Sequence, residues 1–480
     1  MFESSHAFSF FDYFRIPYAV RTNARESRLG TLTSTSSGRT LSWPRPAGRG
    51  PIGAARFRAR NYKADRYQLA GFTIVCHLYT GDDLVGEGWR AIEPILDRNG
   101  HQVAAVWQND SGDVFLPFAP DETIEYLRSE RYTTVSTSKA AQLARRSLVK
   151  GYYVIRPLLA RPLQLRMRRA FARHQHVPSF PAWPIEHSLH TFYDWLFELS
   201  TGLAGEPVPW IDLWPDGRSW AMVLTHDVET AAGRDSMELL RAPERSRGYR
   251  SSWNFAGGRY EVSDEIVERV TSDGCEVGVH GLRHDGRDLA SRRLVHRRLP
   301  QMRENARRWG AVGFRSPATQ RSWKLMPELG FDYDSSYTDS DPYEPQPGGC
   351  CSYLPFTNGP LIELPITLPQ DHTLFEILGH ADGEIWLGKA REIRERRGMV
   401  LILTHPDYAG DQRIATAWRQ LLDEFAGDES AWRALPREVA GWWRDRAASH
   451  LCRGSDGWTL TGPAECRGGI RQTVPVERGS

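Results

Sequence analysis

The rhythm of apolar and polar positions changes near Gly217. Beyond it, short apolar runs recur between stretches of helical periodicity, and the runs are too short to be helices. Runs at 220–226, 251–256, 275–280, 311–316, 332–337, 361–366 and 399–404 predict seven strands, and 263–273, 289–309, 322–329 and 385–397 predict helices. Such alternation calls for parallel strands joined by helical crossovers, closed as a barrel or open and doubly wound. In both arrangements the reactive residues gather at the C-terminal ends of the strands.

The pattern before Gly217 is different. Residues 22–62, rich in Arg, Gly, Ser, Thr and Pro, predict irregular loops between short strands, or partial disorder. Gly71–Tyr79 reads as a strand. Gln102–Trp107 and Asp113–Phe118, separated by Asn109-Asp-Ser-Gly112, read as a β-hairpin. From Lys139 to about Gln175 the pattern is helical and basic, with Arg161, Arg166, Arg168, Arg169 and Arg173 near Leu163, Met167 and Phe171. A solvated helix face is the ordinary account of such a run; an anionic surface is the sharper one. Leu189, Phe192, Trp195, Leu196 and Leu199 make an apolar helical stripe, expected to dock this region onto the next domain. The expected organisation is an accessory region over 1–205, mainly β and then helical, an α/β barrel over 206–447, and a tail over 448–480 in which Gly457–Gly462 adds a strand pair.

At 480 residues the chain is long enough for more than one core. Its 61 basic and 59 acidic residues nearly cancel, so no general attraction to nucleic acid or membrane is implied. Six cysteines without paired C-x-x-C spacing favour a reducing compartment over a disulfide scaffold. The opening Met1-Phe-Glu-Ser-Ser-His6 lacks the form of a secretory leader, and no run reaches transmembrane length, which together predict a cytoplasmic location.

Chemistry collects at the predicted strand ends. Asp227 and Glu229 follow the first strand, His280-Gly-Leu-Arg-His284 the third, Arg315-Ser-Pro317 the fourth and Thr404-His405-Pro-Asp407 the seventh. Two residues apart on extended chain, Asp227 and Glu229 point to the same side, which suits a metal ligand beside a base; either could instead cap the next helix. Histidines four apart can share one side of a helical turn and bind zinc. With 15 His in 480 residues, about 0.5 such pairs arise by chance, so the strand-end setting gives the pair its meaning. His174/His176 and His187/His190 lack any carboxylate or Cys frame, and His226 should face away from Asp227. Tyr337 and Trp253 could stack on a sugar ring, although aromatics at strand ends are more often core. The loop Asp339–Gly349 could be a wall or a lid, and Gln370-Asp-His372, after the sixth strand, could touch substrate.

These segments resemble the motifs of the polysaccharide deacetylase family, zinc-dependent enzymes built on a distorted, usually seven-stranded β/α barrel. Leu224-Thr-His-Asp-Val-Glu229 is similar to its first motif, His280-x-x-x-His284 to the second, Phe314-Arg-Ser-Pro317 to the third and Leu401-Ile-Leu-Thr-His405-Pro406 to the last; Ser251–Gly258 and Gly330–Tyr337 are similar to intervening segments. The resemblance covers residues 215–445. It implies Asp227 as catalytic base, Arg315 as the residue orienting it, His405 as general acid, and Glu229, His280 and His284 as ligands of zinc or another divalent metal. Two departures stand out. Val228 separates the carboxylates that are commonly adjacent, which moves the metal carboxylate to Glu229, and Ala318 replaces an aromatic, leaving its backbone N–H to face an oxyanion.

The residue types permit that chemistry without the analogy. Zinc on three protein ligands keeps a position open for water and lowers its pKa toward about 7. Asp227 can accept a proton, and a protonated His405 can give one to a departing amine. The expected activity is removal of an acetyl group from an amide nitrogen of an acetylated carbohydrate. The rivals are an amidase for a non-sugar amide and a carbohydrate-binding pseudoenzyme marked by Val228 and Ala318.

Overall fold

In the computed structural model, which describes residues 1–21, 29–45, 58–59, 64–80, 88–135, 166–170, 172 and 177–474, all seven expected strands form. They are Trp220–Val228, Ser251–Phe255, Glu276–Val279, Gly313–Phe314, Tyr333–Asp334, Leu361–Glu363 and Met399–Thr404. They lie side by side as sixth, fifth, fourth, third, second, first and seventh, every neighbouring pair parallel. Phe356–Asn358 adds an antiparallel edge to the sixth, and Ala431–Arg433 runs parallel beside the start of the first. The N–H groups of Thr367 and Leu368 both donate to the Leu401 carbonyl, at 3.0 and 3.1 Å, tying the chain after the sixth strand to the seventh. Helices Asp264–Ser272, Arg292–Trp309, Glu384–Glu395 and Gln412–Phe425 supply crossovers and covering. The helix expected over 322–329 shrinks to a 3-10 turn at Met326–Leu329, with Pro327 in its first turn.

The first strand is buried along its whole length, as a parallel strand covered on both faces must be. Strand alternation then sorts its side chains. Met222, Leu224 and Val228 join the hydrophobic core, and His226 shares their parity. Thr225 and Asp227 have the opposite parity. In the register with the second strand, His226 pairs with Trp253 and Asp227 with Asn254. The imidazole of His226 stacks on Trp253 at 4.1 Å between centroids, its Nδ1 lies 2.8 Å from Thr404 Oγ1, and its Nε2 lies 2.9 Å from Glu244 Oε1. The sugar-stacking role expected for Trp253 is therefore corrected: the ring is fully buried in the core and its indole N–H donates to Ser251 Oγ. Trp253→Ala should cost about 3–5 kcal/mol of stability through the cavity it leaves, measurable as a lowered urea midpoint; an unchanged midpoint would contradict this packing.

The chain divides into two compact units, one made of Met1–Gln142, His187–Asp212 and Asp445–Ser480, the other of Leu143–Glu186 and Leu213–Arg444. The parallel sheet belongs to the second. Among the described residues the first carries a nine-stranded sheet that includes the expected hairpin, Gln102–Asn109 against Val114–Phe115. Within 22–62, where irregular loops between short strands or partial disorder were expected, Leu29–Ser34 and Thr40–Pro44 pair antiparallel. Their inward positions include Gly30, Ser34 and Leu41, a burial alternation that an apolar pattern barely records. Helix Ser188–Ala204 ends at Gly205 in the left-handed conformation, φ 67°. Its apolar stripe packs inside this unit, with Phe192 and Trp195 against Phe72. His450–Gly454 and Gly457–Thr461 form the tail's strand pair, and Ile470–Thr473 pairs antiparallel with Val208–Ile211.

Most of the basic segment 139–175, with Arg161, Leu163, Phe171, Arg173 and His174, lies outside the described residues, as does His176. Within it, Arg169 is spent on the Glu376 carboxylate at 3.0 Å and the Glu376 carbonyl at 2.6 Å. Among the described residues no disulfide forms. Among the described residues no helix is long and apolar enough to cross a membrane.

Candidate active site

The C-terminal ends of the first, third, fourth and seventh strands bring the expected polar residues together. One ligand atom each from Glu229, His280 and His284 lie within 4.8 Å of one another, the one such group of three among the described residues. The two histidines do not share a helical turn, as their spacing suggested. An irregular bend joins them, with left-handed backbone at Gly281 (φ 58°) and His284 (φ 48°), and their ring centroids lie 5.0 Å apart. Gly281 is required twice over: its φ is costly for other residues, and a Cβ there would collide with Asp288 and Pro317. Asp288 accepts from the Leu282 N–H at 3.1 Å and from Arg298 at 2.5 Å, which holds the bend.

His280 has its tautomer set by its surroundings. Its Nδ1 lies 3.2 Å from the Arg315 carbonyl, which can only accept, so Nδ1 carries the proton. Its Nε2 is buried and, among the described residues, has no hydrogen-bond partner. A lone pair buried without a partner is costly in an apolar setting, and a cation held with Glu229 and His284 relieves it. Two imidazoles and one carboxylate also make a normal zinc donor set that leaves a position open. The residues present thus fit a divalent metal. Burial pushes the His280 pKa down to about 4, against the pull of Asp227, so at neutral pH the ring is in the ligating, neutral form.

Asp227 lies beside this group. Its Oδ1 accepts from Asn254 Nδ2 at 2.9 Å and lies 3.7 Å from Arg315 Nη1, while its Oδ2 is 3.5 Å from His280 Nδ1. Arg315 is itself fixed by Ser335 Oγ at 2.8 Å and Thr225 Oγ1 at 3.1 Å. Burial alone would raise the pKa of Asp227, but His280, Arg315 and His405 outweigh it and hold the carboxyl below its ordinary range. Glu229 behaves alike: burial is overcome by His284, 2.8 Å away, then by His405 and His280, and its pKa falls well below normal. A Cβ on Gly278 would strike the Asn254 amide, so that glycine leaves room for the partner of Asp227.

His405 faces the group from the seventh strand, its Nε2 3.7 Å from Glu229 Oε1. Its Nδ1 lies 2.6 Å from Asp371 Oδ1, and its own N–H donates to Asp371 Oδ2 at 2.7 Å. Burial lowers a histidine's pKa, but Asp371 overrides it and lifts His405 to about 10. The sequence reading gave Asp371 a possible substrate contact rather than a histidine to back, and it gave Asn254 no role of its own. Asp407, from the same strand end as His405, receives the Glu229 N–H at 3.3 Å and the Thr230 hydroxyl, fixing where Glu229 leaves the strand.

Ala318 sits at φ 56° and ψ 31° between Pro317 and Thr319, a left-handed turn that costs a non-glycine residue about 1 kcal/mol or more. Tyr337 is only 2% exposed, with Trp323 and Phe356 against its ring, so its expected stacking on a sugar is corrected to packing behind the site. The loop Asp339–Gly349 is pinned rather than free: Asp339 pairs with Lys389 at 2.7 Å, and Asp341 and Gly348 exchange backbone hydrogen bonds. Gln370 donates to Glu344 at 2.7 Å.

Fold and site together define a class: a parallel α/β sheet whose strand ends present a His-His-carboxylate group, an arginine-held aspartate and an aspartate-backed histidine. Among solved structures, the chain is similar to a candidate polysaccharide deacetylase from Mycobacterium smegmatis, at 21% identity over 49% of this chain and 93% of that one, with a TM-score of 0.41. It is also similar to PuuE allantoinase, at 15% identity over 48% of this chain and 92% of that one, TM-score 0.41. A third is the family 4 carbohydrate esterase from Streptomyces lividans, at 14% identity over 45% and 91%, TM-score 0.30. No family model and no curated protein matches the chain.

Proposed function

We propose that this chain is a metal-dependent hydrolase that removes an acetyl group from an amide nitrogen of an amino sugar or glycan, with its parallel sheet acting as a distorted seven-stranded barrel. The observation that carries the reading is the buried, unpartnered Nε2 of His280 grouped with His284 and Glu229 and flanked by an ionised Asp227 and a cationic His405. Zinc or another divalent ion held by Glu229, His280 and His284 supplies Lewis acidity toward water and a carbonyl oxygen. The chain's own residues supply the rest.

Asp227, ionised and held by Asn254 and Arg315, takes the proton of the attacking water. His405 holds a proton opposite, where an amide nitrogen has to gain one before it can depart as an amine. The Ala318 N–H, on its strained turn, is the candidate donor to the developing oxyanion. The test is acetate release from a panel of N-acetylated sugars after metal stripping and reloading with zinc, cobalt or manganese in turn. Release that vanishes on stripping and returns with metal is expected; sugar binding without acetate from any reloaded form would overturn the reading.

A further inference from the structure

Arg259, in the turn after the second strand, stands at the edge of this site without a carboxylate of its own. It is exposed, its Nη1 lies 3.5 Å from His284 Nδ1, and among the described residues it makes no ion pair. Neighbouring arginines are placed differently: Arg298 is committed to Asp285 and Asp288, and Arg308 to Asp264. Arg283, next to His284 in the bend, is likewise exposed and without an ion pair among the described residues.

The orientation of His284 gives the contact its meaning. Nε2 faces Glu229, so a metal there takes Nε2 and leaves the ring proton on Nδ1. A metal-bound imidazole ordinarily donates that N–H to a carboxylate or carbonyl. Here it meets a guanidinium, which has donors and no acceptor. Two donors that converge at an exposed edge and cannot satisfy one another leave room for a shared acceptor, and a guanidinium suits the paired oxygens of carboxylate or phosphate.

We propose that Arg259, together with the Nδ1–H of His284, binds an anionic group carried by the substrate, so that the substrates are acidic N-acyl amino sugars bearing a carboxylate or a phosphate. This rests on the deacetylase reading above, and the experiment separates the two. Calorimetric titration of the zinc-loaded full chain with the amine products glucosamine, glucosamine 6-phosphate and muramic acid requires no turnover. The wild type should bind at least one acidic amine about tenfold or more tightly than glucosamine, and whether phosphate or carboxylate gains more identifies the anion. Arg259→Gln should lose most of that preference with zinc content unchanged, and Arg259→Lys should keep part of it.

Equal affinity for all three amines, or a full preference in Arg259→Gln, overturns the proposal. An Arg259-dependent preference without acetate release from any N-acetyl sugar would leave the anion site standing and sink the deacetylase reading. Acetate release with equal kcat/KM for neutral and acidic N-acetyl sugars would do the reverse.

Discussion

Asp227→Asn should retain the full metal complement and lose about 10²- to 10⁴-fold in kcat, the usual contribution of a positioned general base. The side chain touches Asn254, Arg315 and His280 but stands outside the Glu229, His280 and His284 group. Asparagine preserves its shape and removes its capacity to accept a proton. Glu229→Ala and His280→Ala should act differently, losing metal and turnover together, because each deletes one of the three proposed ligands. Elemental analysis beside an acetate assay checks both halves. Turnover near wild type in Asp227→Asn would eliminate it as the proton acceptor, and stoichiometric zinc in Glu229→Ala would eliminate that ligand.

Asp371→Asn should shift the alkaline limb of the kcat profile to lower pH. With its pKa raised to about 10, His405 is protonated throughout the neutral range and loses its charge only as pH climbs past that value. Burial works in the opposite direction, and Asp371 is the chief group opposing it. Without that carboxylate only Glu229 and Asp227 still oppose burial, and the ring's pKa falls back toward its ordinary 6.5. Each unit by which pH exceeds the pKa removes about nine-tenths of the remaining acid, so at pH 8.5 kcat should fall about 10- to 100-fold, and by less at pH 6. A limb that stays where the wild type has it would show that Asp371 does not control the proton on His405.

The residues at the strand ends were legible because parallel strands buried on both faces must be written as nearly unbroken apolar runs, and Trp220–Val228 and Met399–Thr404 are. Their polar successors then stand out. Asp371 stood out only as part of a possible substrate contact. It caps the helical turn His372–Ile377, 34 residues before the histidine it serves, and only the fold brings the two together. Asn254 hides inside a strand, where parity decides which of two neighbours turns toward Asp227; the aromatic Trp253 attracted notice, and the amide beside it does the work. The nine-stranded sheet was faint because threonine, serine and glycine fill many of its positions, so exposure alternates where hydropathy hardly does.

The pairing of Val208–Ile211 with Ile470–Thr473 bears on how this polypeptide can be assembled as it is made. Trp210 reaches Thr473 across 263 residues of chain, and nearly all of the parallel-sheet unit is encoded between them. Translation therefore delivers that unit whole before the ribosome has made the last strand its companion needs. Until then the Val208–Ile211 edge waits with its backbone groups unpaired.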